Sequence, residues 1–138
     1  MFRAMTTAVL LASAMAAPAY AQGPISVGGG ADTHGCYASA GYSWSILRKS
    51  CIRMWEAGVR LDPVTPQGSA VMSAFVVFAS ESDRRQAELF LVDVKGSLLL
   101  AKVRGARAWS GEGYKLTVHK GVYSLFDAQG RLIYQGPK

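Results

Sequence analysis

The chain reads as a mainly β protein, a small antiparallel meander (barrel or sandwich) with one short N-terminal helix and one disulfide. Three observations predict this. Turn signals recur about every eight to twelve residues through the second half of the chain. Short apolar runs of strand length lie between them. Two cysteines, Cys36 and Cys51, stand with fourteen residues between them in the first half.

Residues 1–21 are expected to be a signal peptide. Met1-Phe2-Arg3 carries one positive charge, an apolar stretch follows from Ala8 to Ala17, and Ala19-Tyr20-Ala21 is an A-x-A cleavage signature. The stretch is shorter than the roughly 20 apolar residues that cross a bilayer. A cut between Ala21 and Gln22 removes 21 of 138 residues and leaves 117, enough for one domain. The expected location is the periplasm or the outside of the cell. No later apolar run is long enough for a transmembrane segment.

The compartment decides the chemistry of the cysteines. In oxidising surroundings a close pair forms a disulfide. Closing a loop of this length is worth about 3 kcal/mol on the chain-entropy account. A redox pair would use the tighter C-x-x-C spacing, and a metal site would need further ligands.

Residues 22–35 are expected to be a flexible linker, and residues 36–138 a single β-rich domain. The run Val27-Gly28-Gly29-Gly30 holds too little apolar surface to fold alone. It follows no strand and opens no helical period, so it is not a phosphate cradle. Ser43 can cap a short helix, with Trp44, Leu47 and Cys51 on one face. From Ile52 the period changes to two. Ile52, Met54, Val59 and Leu61 share a face, Arg53 and Arg60 take the other, and Gly58 marks a bulge. The stretch from Asp62 to Gly68 carries two prolines and reads as a loop.

The meander follows. Residues 70–79 form an apolar run with Phe75-Val76-Val77-Phe78 as a central strand. Further strands are expected over 86–92, 97–104, 114–119, 122–126 and 131–135. Turns fall at Glu81–Arg85, Lys95-Gly96, Gly105, Lys120-Gly121 and Asp127–Gly130. Trp44 and Trp55 are expected to pack in the core around the disulfide. Trp109 stands beside Ser110-Gly111-Glu112-Gly113, which reads as an exposed loop.

Removing Arg3 with the leader takes the basic residues from 15 to 14 and the net charge from +6 to +5. This balance favours acidic partners, such as an envelope protein, an anionic lipid or an anionic glycan. Export argues against nucleic acid. The charges are scattered, as in a soluble surface, apart from Arg48-Lys49, Arg84-Arg85 and the row Lys102, Arg104, Arg107. No cofactor or metal is predicted, because nothing brings His34, His119 and Asp32 together in the sequence. No serine lies in a G-x-S-x-G context. No catalytic residue is therefore assigned, and a hydrolase with an unrecognised site is the least favoured reading.

The segment Ser110-Gly111-Glu112-Gly113-Tyr114, preceded by Ala87–Leu91 and Leu98–Leu100, resembles periplasmic β-barrel inhibitors of C-type lysozyme. The resemblance spans roughly residues 70–135 and implies a Ser-Gly-x-x-Tyr loop that enters a lysozyme-like enzyme. That family has a basic residue just before the tyrosine where this chain has Gly113, and its cysteines lie elsewhere. The order Cys36, Ser39-Ala40-Gly41-Tyr42-x-Trp44, Cys51-Ile52-Arg53, Glu56-x-Gly58, Leu61 is similar to one in small exported proteins of Gram-negative bacteria and implies no particular function. The expected function is a non-enzymatic binding or inhibitor module of the cell envelope. Its contact surface is expected to comprise Arg104, Arg107, Trp109, Ser110, Gly111, Tyr114 and Lys115. The alternative is a structural envelope protein that binds anionic lipid or glycan by its positive charge.

Overall fold

The computed structural model describes residues 30–65 and 72–138. The expected leader, the linker up to Gly29 and the start of the apolar run at Ala70-Val71 lie outside the described residues.

Eight strands form the body: β3 (Val59–Pro63), β4 (Ala74–Val77), β5 (Gln86–Phe90), β6 (Leu98–Lys102), β7 (Ala108–Gly111), β8 (Tyr114–His119), β9 (Val122–Phe126) and β10 (Leu132–Gly136). Each pairs antiparallel with its neighbour in sequence, and β10 pairs with β3 to close a barrel. The expected meander is therefore a barrel. Closure leaves none of its strands as an unpaired edge.

Alternation along the strands fills the interior. Leu61, Val76, Leu89, Leu100, Leu116 and Leu125 all point inward and are fully buried. An eight-stranded barrel has room for about this much side chain and little more. Two-residue turns fit the closely spaced pairs. Glu112 and Gly113 carry φ of 52° and 84°, and Lys120 and Gly121 carry 48° and 77°, the positive values that this kind of hairpin requires.

The N-terminal part lies outside the barrel and corrects the expected helix. Ser43–Ser45 (β1) and Ser50–Ile52 (β2) form an antiparallel hairpin in which Trp44 faces Cys51. The helix comes later, as a single turn over Met54–Ala57 (α1), where a strand was expected. A three-residue 3-10 turn covers Ala38–Ala40. The Trp44, Leu47, Cys51 spacing fails as a helix because the barrel offers a stronger partner for the backbone at its centre. Glu88 on β5 accepts hydrogen bonds from the N–H groups of Ile46 (2.7 Å) and Leu47 (3.3 Å) and from the Ser45 hydroxyl (2.6 Å).

This attachment explains the long apolar run on β4. Val76 and Phe78 face the core, while Val77 and the half-buried Phe75 face outward and meet Ile52, Met54 and Ala57. A strand covered on both faces has no reason to alternate. Arg48 adds a clamp, donating to the carbonyls of Phe78 (3.0 Å) and Ala57 (3.1 Å).

Cys36 and Cys51 form the disulfide, with Cα atoms 5.5 Å apart. It ties the start of the described chain to β2 and crosses no barrel strand. Removing it with Cys36→Ser and Cys51→Ser is expected to lower stability by about 3 kcal/mol. Hydrogen exchange should rise first over residues 31–52 and leave the barrel amides protected. Uniform loss of protection in the barrel would contradict this.

Candidate functional site

The seven residues expected to share one contact surface are divided among three places. Trp109 is not exposed: it retains 2% of its surface and points into the barrel. Its indole N–H donates to the Arg84 carbonyl at 2.7 Å, and its ring packs near Phe78 (5.2 Å) and Tyr123 (6.3 Å). The expected loop is in fact the end of β7 and a two-residue turn. Alternation on β7 therefore sends Trp109 inward and Ser110 outward.

Arg104 and Arg107 are exposed in the β6–β7 connection, at one end of the barrel. Gly111, Tyr114 and Lys115 lie at the other end. Crossing the four residues of β7, at roughly 3.3 Å each, separates the two groups by about 13 Å. The arginines and the tyrosine therefore occupy opposite rims.

The two rims differ in chemistry. The first is plugged. Phe78, Trp109 and Tyr123 pack against one another, and the Arg84 guanidinium lies 4.8 Å from the Phe78 ring centre and donates to the Tyr123 hydroxyl at 2.7 Å. Cation–π attraction and the hydrogen bond hold this side chain across the plug.

The second rim is open to a groove of about 400 Å³. Its apolar wall comes from Leu91, Tyr114, Ile133 and Tyr134, and Asp93 and Arg131 stand at its edge. A register shift at Ile133 brings both Ile133 and Tyr134 against the core side, the re-aiming that a bulge provides. Burial pushes the Tyr134 phenol above its ordinary range, and Asp93 and Tyr114 add to this. A second groove of about 660 Å³ runs over the outside of β8 and β9, along Lys115, Thr117, Phe126 and Asp127. Tyr114 borders both grooves.

The hairpin that carries Tyr114 is held firmly. Gly111 lets β7 approach β6 closely, since a Cβ there would stand 2.9 Å from the Leu99 carbonyl oxygen. The neighbouring β9–β10 turn is also fixed. Asp127 accepts from the backbone N–H groups of Arg131 (2.9 Å) and Gln129 (3.0 Å) and from Arg131 Nε (2.8 Å). These bonds, the Arg131 backbone N–H above all, hold its carboxyl below the usual range.

The remaining candidates fall elsewhere. The His34 ring stacks on Trp44, with centres 4.4 Å apart and planes 3° apart. Asp32 accepts from the N–H groups of His34 and Cys36 and shapes a turn. His119 lies at the end of β8 beside the plugged rim. No three His, Cys, Asp or Glu side chains converge among the described residues. Trp44 is only half-buried. Trp55 is 53% exposed and so is not part of the core. The polar residue that sequence reasoning missed is Glu88, fully buried on the outer face of β5. Its place in the alternation made it look like any solvent-facing strand residue.

Together these features define an up-and-down, eight-stranded β-barrel with one plugged end, one grooved end and a disulfide-bonded hairpin on its side. Compared with family models, curated proteins and solved structures, the chain finds no match.

Proposed function

We propose that this chain is a non-catalytic binding protein of the cell envelope that holds a protein or glycan partner at the grooved end of its barrel. One observation carries the reading: Tyr114 sits on a rigid hairpin where two grooves meet. A half-exposed tyrosine of this kind offers a flat apolar face and a hydroxyl, the combination found in interface anchors. Because the hairpin is already ordered, association loses little conformational entropy. Lys115 and Ser110, exposed on the outer face beside it, supply polar contacts. Trp109 supports the surface from within and does not touch the partner, and Arg104 and Arg107 take no part in it.

The test is titration of the chain with a C-type lysozyme and with soluble peptidoglycan fragments. Tyr114→Ala is expected to weaken binding of whichever partner is held by about tenfold or more, or ~1.4 kcal/mol. Lys115→Glu should weaken it less, and Arg107→Ala should leave it unchanged. Equal losses for Tyr114→Ala and Arg107→Ala, in folded protein, would overturn the grooved end as the contact surface.

A further inference from the structure

The basic clusters look scattered in the sequence, but the barrel gathers several of them. Its plugged rim is built from the β4–β5, β6–β7 and β8–β9 connections and the strand ends beside them. These bring six cations together, Arg84, Arg85, Lys102, Arg104, Arg107 and Lys120, against two acids, Glu81 and Asp83. Asp83 pairs with Arg85 at 2.9 Å, and the Arg85 partnership draws its carboxyl down to about 2. Among the described residues the other five cations have no ion-pair partner. The grooved end carries no such excess, with Asp93, Glu112 and Asp127 against Lys95, Lys115 and Arg131, and Arg131 is paired with Asp127.

Two of the five unpaired cations are positioned by the plug itself. Arg84 lies over Phe78, and Lys102 Nζ stands 5.6 Å from the Trp109 ring centre and donates to the Ala106 carbonyl. The side chains of Arg104, Arg107 and Lys120 are exposed and make no hydrogen bond among the described residues. Arg85 borders a groove with Lys49 and Asp83, but none of the five unpaired cations borders it or either of the grooves described above. A blunt end with unpaired cations on three adjacent connections is complementary to a plane of negative charge rather than to one enclosed small molecule.

We propose that the plugged end of the barrel is a second contact surface, which docks on a membrane bearing anionic phosphate headgroups. This difference in charge between the two rims gives the molecule an orientation on such a membrane. The plugged end faces the lipid and the grooved end points away from it, free to hold a partner.

The experiment is sedimentation of the full chain with phosphatidylcholine vesicles, with and without phosphatidylglycerol. Binding is expected only with phosphatidylglycerol, and it should vanish as salt shortens the screening length. The double variant Arg104→Glu with Arg107→Glu should lower partitioning by about tenfold or more. Two single variants of equal charge separate position from net charge: Arg107→Glu should lower partitioning by about fivefold or more, and Lys95→Glu, at the grooved end, should stay within about twofold of the parent. Far-UV circular dichroism should match the parent for all three variants, since Arg104, Arg107 and Lys95 are exposed. Equal losses in the two single variants would mean that net charge alone acts, and would overturn the proposal. So would equal binding to uncharged vesicles, or binding to a soluble acidic polysaccharide without binding to phosphatidylglycerol vesicles.

Discussion

Glu88→Ala is expected to destabilise the protein by about 3 kcal/mol or more, and to do so by releasing the hairpin from the barrel. Glu88 and Ser45 are both fully buried. The carboxylate accepts from the Ser45 hydroxyl and the Leu47 N–H on one oxygen, and from the Ile46 N–H and the Ser97 hydroxyl (2.5 Å) on the other. Alanine would leave these donors without their acceptor, and a buried hydroxyl without a partner costs about 1–3 kcal/mol. It would also leave a cavity where the side chain stood. Glu88→Gln should recover only part of the loss, because its amide nitrogen would face two donors. Urea unfolding measures the stability, and hydrogen exchange at Ile46 and Leu47 locates the change. A loss under about 1 kcal/mol with the hairpin amides still protected would show that apolar contact and Arg48 alone hold the hairpin in place.

Trp109→Ala is expected to cost about 3–5 kcal/mol, the range for removing a large aromatic side chain from a core. The side chain fills the plugged end between Phe78 and Tyr123, and its N–H satisfies the Arg84 carbonyl. Trp109→Phe keeps most of the apolar volume but leaves that carbonyl unpaired, so about 1–3 kcal/mol is expected. The pair of variants separates two roles. As a core residue, Trp109 should affect partner binding only through the folded fraction, so folded Trp109→Phe should bind as the parent does. If folded Trp109→Phe lost binding to the degree that Tyr114→Ala does, the indole would have to reach the partner, and its burial would not describe the bound state.

The strands of the barrel were largely legible in the sequence. Tyr114–His119 and Val122–Phe126 have the expected limits, and Gln86–Phe90 and Leu98–Lys102 lie within theirs. Their information is local: short apolar runs, alternation and a turn pair such as Lys120-Gly121 are read from adjacent residues. β7 was missed because Ala108–Gly111 is short and rich in small residues, and its one large side chain stands beside three glycines and serines. The β1–β2 hairpin was read as a helix because the Trp44, Leu47, Cys51 spacing fits a helical face. What overrides it is a carboxylate more than forty residues away in sequence. The crowding of aromatic residues around the disulfide predicts a core position for Trp55, yet the one-turn helix leaves it at the surface.

The candidate surface was less legible than the fold. Arg104, Arg107 and Tyr114 are close in sequence, and proximity in sequence suggested proximity in space. A β-strand between them does the reverse, because it carries the chain from one rim of the barrel to the other. The same geometry joins what the sequence separates, since Arg84, Arg107 and Lys120 come from three connections that meet at one end.

By itself the sequence determined that the chain is mainly β, that it turns back on itself at regular intervals, and that Cys36 and Cys51 are spaced to join. These follow from local preferences and chain length. The tertiary structure alone decided that the meander closes on itself, that Glu88 is buried, and which charges share a rim. Closure depends on the pairing of β3 with β10, some seventy residues apart, and burial depends on what comes to lie over a face. No window of neighbouring residues contains either.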